Sequence, residues 1–139
     1  MTRTLTAYAV TLVAFVVVDA AWLMLVAVDL FRAQLGPILR REPLVAAIAV
    51  FYPLYALGLT CLAILPMSGA MGPAGAAGRG ALLGLTAYAT FDLTNLAILR
   101  DWTVNLAMID TAWGTLASAL AAFLGRWVFD RLGQARPAP

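Results

Sequence analysis

The chain has 139 residues, 63% of them hydrophobic, with a mean hydropathy of +0.91 and only 12% charged. That charge fraction is about half of what a soluble domain carries, which excludes an ordinary water-soluble protein and points to one compact membrane bundle. The net charge of +2 comes from scattered arginines without a basic run, so nucleic acid is not an expected partner; histidine is absent, so no metal or other cofactor is expected.

Four apolar segments follow along the chain, each close to the roughly 20 residues needed to cross a bilayer. The first covers residues 5–28. It is too long for the apolar core of a signal peptide and contains Asp19, so it is read as a helix that stays in the protein. A connection from Asp29 to Pro43 holds Arg32, Arg40, Arg41 and Glu42. The second segment, 44–65, contains Pro53 and ends before Pro66; Pro53 cannot donate to the Ala49 carbonyl and predicts a kink. Cys61 lies within this segment and reads as a small buried hydrophobe. The stretch from Pro66 to Arg79 is Gly/Ala/Pro-rich and predicts a mobile loop.

The third segment is 80–99 and opens on Gly80 and Gly84, a spacing that lets a neighbouring helix approach closely. Only Arg100 to Thr103 separates it from the fourth, 104–127, which predicts a tight antiparallel hairpin. Residues 132–139 read as a frayed tail. Trp102 and Trp127 suit interfacial anchors. Four spans put both termini on one face. Counting Arg3, Arg79, Arg126, Arg131 and Arg136 there, against Arg32, Arg40, Arg41 and Arg100 opposite, gives a slight bias toward cytoplasmic termini.

The chemistry is carried by Asp19, Asp92 and Asp110, one in each of three spans. An ionised Asp at mid-helix costs about 2.5–3.5 kcal/mol on insertion scales, so three unpaired ones would cost roughly 8–10 kcal/mol. Net stability is only about 5–15 kcal/mol, so these carboxyls must be paired, protonated or wetted. The short third connection sets Asp92 and Asp110 roughly 10 Å below the same surface, at 1.5 Å per residue. Asp19 lies about 14 Å and Trp22 about 10 Å below it; Tyr52, Pro53 and Tyr55 lie about 12–16 Å down.

Helical phase agrees with this layering. Tyr88, Asp92 and Asn95 share one face, as do Phe15, Asp19 and Trp22, and Asp110, Trp113 and Gly114. Polar faces turn inward because lipid offers no partners. The opposite leaflet reads as sealed apolar packing, which disfavours a through-pore and favours a pocket open to one side or to the lipid. The expected ligand-binding set is Asp19, Trp22, Tyr52, Tyr55, Tyr88, Asp92, Asn95, Asp110 and Trp113.

Three uses of such a layer differ in what they require. A purely structural role would use carboxyls as interhelical glue, but such bonds average only about 0.6 kcal/mol in membrane proteins. A site for a small cationic or amphiphilic ligand, with proton-coupled transport as its extension, uses carboxylates beside aromatic faces. A lipid-modifying enzyme would use aspartates as general acid and base, though no nucleophile stands out; Thr94 and Ser118 read as ordinary helix residues. A fourth reading is a structural accessory subunit of a larger membrane complex, and a homodimer is compatible with the transport reading.

The run from Tyr88 to Trp102, with Val18 to Leu23, Ile109 to Gly114, Gln34 to Gly36 and Phe51-Tyr52, resembles a family of small bacterial membrane proteins catalogued as domain of unknown function 2177. The resemblance covers nearly the whole chain, and its pattern matches Asp19, Trp22, Asp92, Asn95, Asp110, Trp113 and Gly114. It implies an all-α, four-helix protein of the bacterial inner membrane and assigns no catalytic role. The resemblance also implies a frequent neighbourhood to genes for fatty-acid modification, which points to lipid by association only.

Overall fold

The computed structural model describes residues 1–66 and 72–134. These form four helices long and apolar enough to cross a membrane: α1 (Thr2–Leu35), α2 (Val45–Ile64), α3 (Gly72–Ile98) and α4 (Val104–Gln134). The described chain contains no strand, and the fold is an all-α membrane bundle.

Three of the four helices overrun an expected end, whereas α2 stays within its expected 44–65. α1 begins at Thr2 and passes through a π turn at Leu23–Ala27, immediately after Trp22, before continuing to Leu35. The hydropathy window stops where Asp29 and Arg32 begin, but backbone hydrogen bonding does not. α3 starts at Gly72, eight residues early, so much of the expected loop before Arg79 is helical. Pro73 suits a first turn, where its missing N–H is not needed, and glycine is common in membrane helices. Residues 67–71 of that loop lie outside the described residues. α4 runs to Gln134, because an i,i+4 pair between Arg126 and Asp130 carries it past its apolar stretch. Residues 132–134 are therefore helix, and 135–139 lie outside the described residues.

α4 is the central helix, and small residues explain why. Lipid tails are as apolar as leucine, so helices associate in a bilayer by close van der Waals contact. Along α4, Gly114, Ala117, Ser118, Ala121, Ala122 and Gly125 are all buried. Gly80 and Gly84 of α3 lie against this face. A β-carbon at Gly84 would fall 2.4 Å from the Gly114 carbonyl oxygen, and one at Gly80 would fall 2.6 Å from the Ala122 β-carbon. The Gly-x-x-x-Gly spacing is thus an internal packing surface. On the other side, Phe15, Leu59, Ala63 and Ile64 complete the core around Ala117 and Ala121.

Three expectations are corrected. Cys61 is exposed on the outer surface of α2, where an apolar thiol meets lipid as readily as core. Trp102 is buried at 6% exposure, packed with Leu35, Leu106 and Ala107; only Trp127 keeps an outward position, with Arg131 over its ring. The end opposite the aspartates is not purely apolar. Arg126 is 5% exposed, pairs with Asp130 at 2.9 Å and donates to the Ile64 carbonyl at 2.9 Å. Arg3 reaches the same Asp130 at 3.6 Å and lies over the Phe129 ring. Arg126 therefore satisfies a carbonyl in the π turn that ends α2, inside the bundle and not in a loop.

Candidate functional site

The three aspartates occupy three different environments. Asp19 is 7% exposed and accepts two hydrogen bonds from other helices. The Tyr52 hydroxyl of α2 donates at 2.7 Å, and the Trp113 indole N–H of α4 donates at 3.2 Å. The Asp-x-x-Trp spacing thus works across helices: Trp113, one turn from Asp110, serves Asp19. Trp22 stacks on Trp113, with centroids 4.7 Å apart and planes 10° apart, and so holds the donating indole in place. Replacing Tyr52 with phenylalanine removes one of the two donors from a buried carboxyl. The expected loss is about 1–3 kcal/mol, measured as a lower unfolding midpoint in mixed micelles. An unchanged midpoint would show that this bond contributes nothing.

Asp92 is fully buried. Thr111 of α4 donates to its Oδ2 at 2.9 Å. The Trp102 indole N–H interacts with the same carboxyl but falls short of a hydrogen bond, leaving Asp92 Oδ1 and Trp102 Nε1 both buried and unpartnered.

Asp110 differs from both. It is 8% exposed, and among the described residues no hydrogen bond or ion pair reaches its carboxyl. It lies within electrostatic range of Asp92 and Asp19. Even so, the described aspartates do not group closely enough to hold a metal ion. Asp110 instead lines a cavity of about 350 Å³ with Phe51, Tyr55, Ala87, Tyr88 and Phe91. Four aromatic rings therefore surround one carboxyl that has no protein partner.

The rings are held from below. Tyr55 meets Tyr88 edge-on, at 6.3 Å and 79°, and lies 4.8 Å from Phe15. The Ser118 hydroxyl donates to the Gly114 carbonyl at 2.6 Å, so it accepts from the Tyr55 hydroxyl at 2.7 Å. Tyr88 lies flat over Gly114, where an added β-carbon would fall 2.1 Å from its Cγ.

The nine residues expected from sequence fall into groups. Asp19, Tyr52, Trp113 and Trp22 form one hydrogen-bonded and stacked unit, and Asp110, Tyr55 and Tyr88 line the cavity. Asp92 belongs with Thr111 and Trp102. Asn95 is half-buried, and no side-chain hydrogen bond joins it to the aspartates. Sequence reasoning missed Phe51 and Phe91 as cavity walls; nothing distinguishes them from other apolar residues in a hydrophobic chain. It also missed Thr111, one residue after Asp110 and directed to Asp92. A larger groove of about 610 Å³ lies on the outer faces of α3 and α4, but it is lined by aliphatic side chains with Thr111 and Thr115 and offers no charge.

No curated protein and no solved structure matches the chain. A family model does match, across residues 4–127, and this stretch takes in α2 and α3 whole, most of α1 and α4, and Asp19, Asp92 and Asp110. The chain therefore belongs to the family described as "Predicted membrane protein (DUF2177)".

Proposed function

We propose that this membrane protein binds an organic cation in the aromatic cage, with Asp110 as the counter-charge. The observation that carries the reading is the unpartnered Asp110 carboxyl among Phe51, Tyr55, Tyr88 and Phe91. A buried ionisable group in a membrane span is costly and marks a functional position. Aromatic faces attract cations by about 0.5–2 kcal/mol each, more when water is excluded. At about 350 Å³, the cavity is at the small end of ligand sites, which run roughly 300–1,000 Å³. Asp19 and Asp92 then take supporting roles: Asp19 ties α1, α2 and α4 together, and Asp92 ties α3 to α4.

The test is the thermal stability and intrinsic fluorescence of the purified full chain, titrated with a panel of quaternary ammonium salts. An Asp110-dependent response to at least one of them supports the reading; none at all overturns it.

We further propose that the protein sits in an inner membrane with cytoplasmic termini, on the five-to-four arginine bias. Arg126 is engaged by Asp130, so the bias is at its weakest. Impermeant labelling of a cysteine placed at residue 2, in a Cys61→Ser background, reads the orientation: labelling from the outside would reverse it.

A further inference from the structure

The cage is plugged at the end of the bundle that carries the first and third connections and is open between α2 and α3. On the side of the first and third connections, Leu35, Trp102, Leu106 and Ala107 form an apolar plug, joined by Phe31 and Leu99. Trp102 meets Phe91 edge-on at 5.4 Å, so the plug rests directly on one wall of the cage. The two connections are also fastened together. The Thr103 hydroxyl donates to Gln34 Oε1 and accepts the Leu106 N–H at 3.2 Å, capping α4.

Between α2 and α3 the situation is reversed. The two helices meet along the π turn Thr60–Ile64 and diverge toward the other end of α2. Tyr55 and Tyr88 bridge the cleft at its base. Above them Phe51 and Phe91 remain 40% and 54% exposed, and Val45–Val50 has every side chain exposed. At roughly 10–15 Å below the surface this mouth faces hydrocarbon. The lining holds one acidic group, and two more aspartates, Asp92 and Asp19, act on it electrostatically. Such a field repels the phosphate of a zwitterionic lipid and selects a net cation.

We infer that the cation taken by the cage carries a hydrocarbon chain and reaches Asp110 from within the bilayer, through the cleft between α2 and α3. The inference rests on the cage reading and adds a substrate class to it: a single-chain alkylammonium amphiphile. Its head sits against Asp110 and its tail leaves between Phe51 and Phe91.

The experiment compares tetramethylammonium with dodecyltrimethylammonium on the full chain in phosphatidylcholine vesicles, with the neutral dodecyl maltoside as a control for the tail alone. The response of Asp110→Asn is subtracted. Phe51→Ala, at a half-exposed position, serves as the second variant should Asp110→Asn fail to fold. The expected result is half-saturation by the dodecyl cation at a concentration at least tenfold below that of tetramethylammonium, with no specific response to the maltoside. Equal half-saturation by the two cations, lost in the variants, would overturn access from the bilayer and leave the cage reading standing. A response to the maltoside equal to that of the dodecyl cation would show that the cleft takes a tail without regard to charge, and would overturn the inference. Absence of any variant-dependent response to either cation would remove both.

Discussion

Replacing Gly114 with alanine should destabilise the bundle, although alanine is the better helix former by about 1 kcal/mol. The added β-carbon would fall 2.1–2.4 Å from three atoms of the Tyr88 ring. A ring is not the flexible end of a side chain, so Tyr88 must rotate or α3 must move away. Overpacking of this kind costs about 1–3 kcal/mol, and it outweighs the propensity gain. Gly58→Ala is the matched control. Nothing lies within 4 Å of a β-carbon there, so the same change should be neutral or stabilising, by up to about 1 kcal/mol. Unfolding midpoints in mixed micelles read both. Equal effects at the two glycines would refute the close-packing account. Because Tyr88 also walls the cage, Gly114→Ala should weaken the cation response in whatever fraction remains folded.

Asp110→Asn should have opposite consequences for binding and for stability. With a cation bound, the carboxylate is one half of a desolvated charge pair, and truncating such a partner costs about 2–5 kcal/mol. The affinity should therefore fall at least about 30-fold, since 1.4 kcal/mol is a factor of ten. Without a ligand, the substitution replaces an unpartnered carboxyl by a neutral amide of similar shape, so the unfolding midpoint should hold or rise. Asp19→Asn should do the reverse, because its carboxyl accepts from both Tyr52 and Trp113. An amide can accept only one of these and turns a donor toward the other. The same logic gives a pH dependence. Protonating Asp110 removes the counter-charge, so wild-type affinity should drop on acidification and recover on neutralisation, while Asp110→Asn stays flat. A variant that binds as tightly as wild type, or a wild type indifferent to pH, would place the cation elsewhere.

Much of this protein was legible in its sequence, for a definite reason. A bilayer leaves backbone groups no partner but one another, so long apolar runs must be helices. The same lack of partners drives carboxyls inward, which marked Asp19, Asp92 and Asp110 as exceptional, and the four-residue connection set Asp92 and Asp110 near one expected depth. The Gly80/Gly84 spacing likewise announced a close helix contact. Helix ends were less legible, because hydropathy falls at a charge while hydrogen bonding runs on; Arg126 and Asp130 continue α4 for that reason. Only the tertiary structure decided which carboxyl is free. That depends on which helix brings a donor within about 3 Å, and no one-dimensional spacing encodes it. Trp113 lies one turn from Asp110 in sequence and donates to Asp19. Phe51 and Phe91 became cage walls, and Trp102 became a plug, through packing between segments far apart in the chain. The sequence determined that three buried charges had to be accommodated. The packing of four helices settled two of them in hydrogen bonds and left the third, Asp110, facing a cavity.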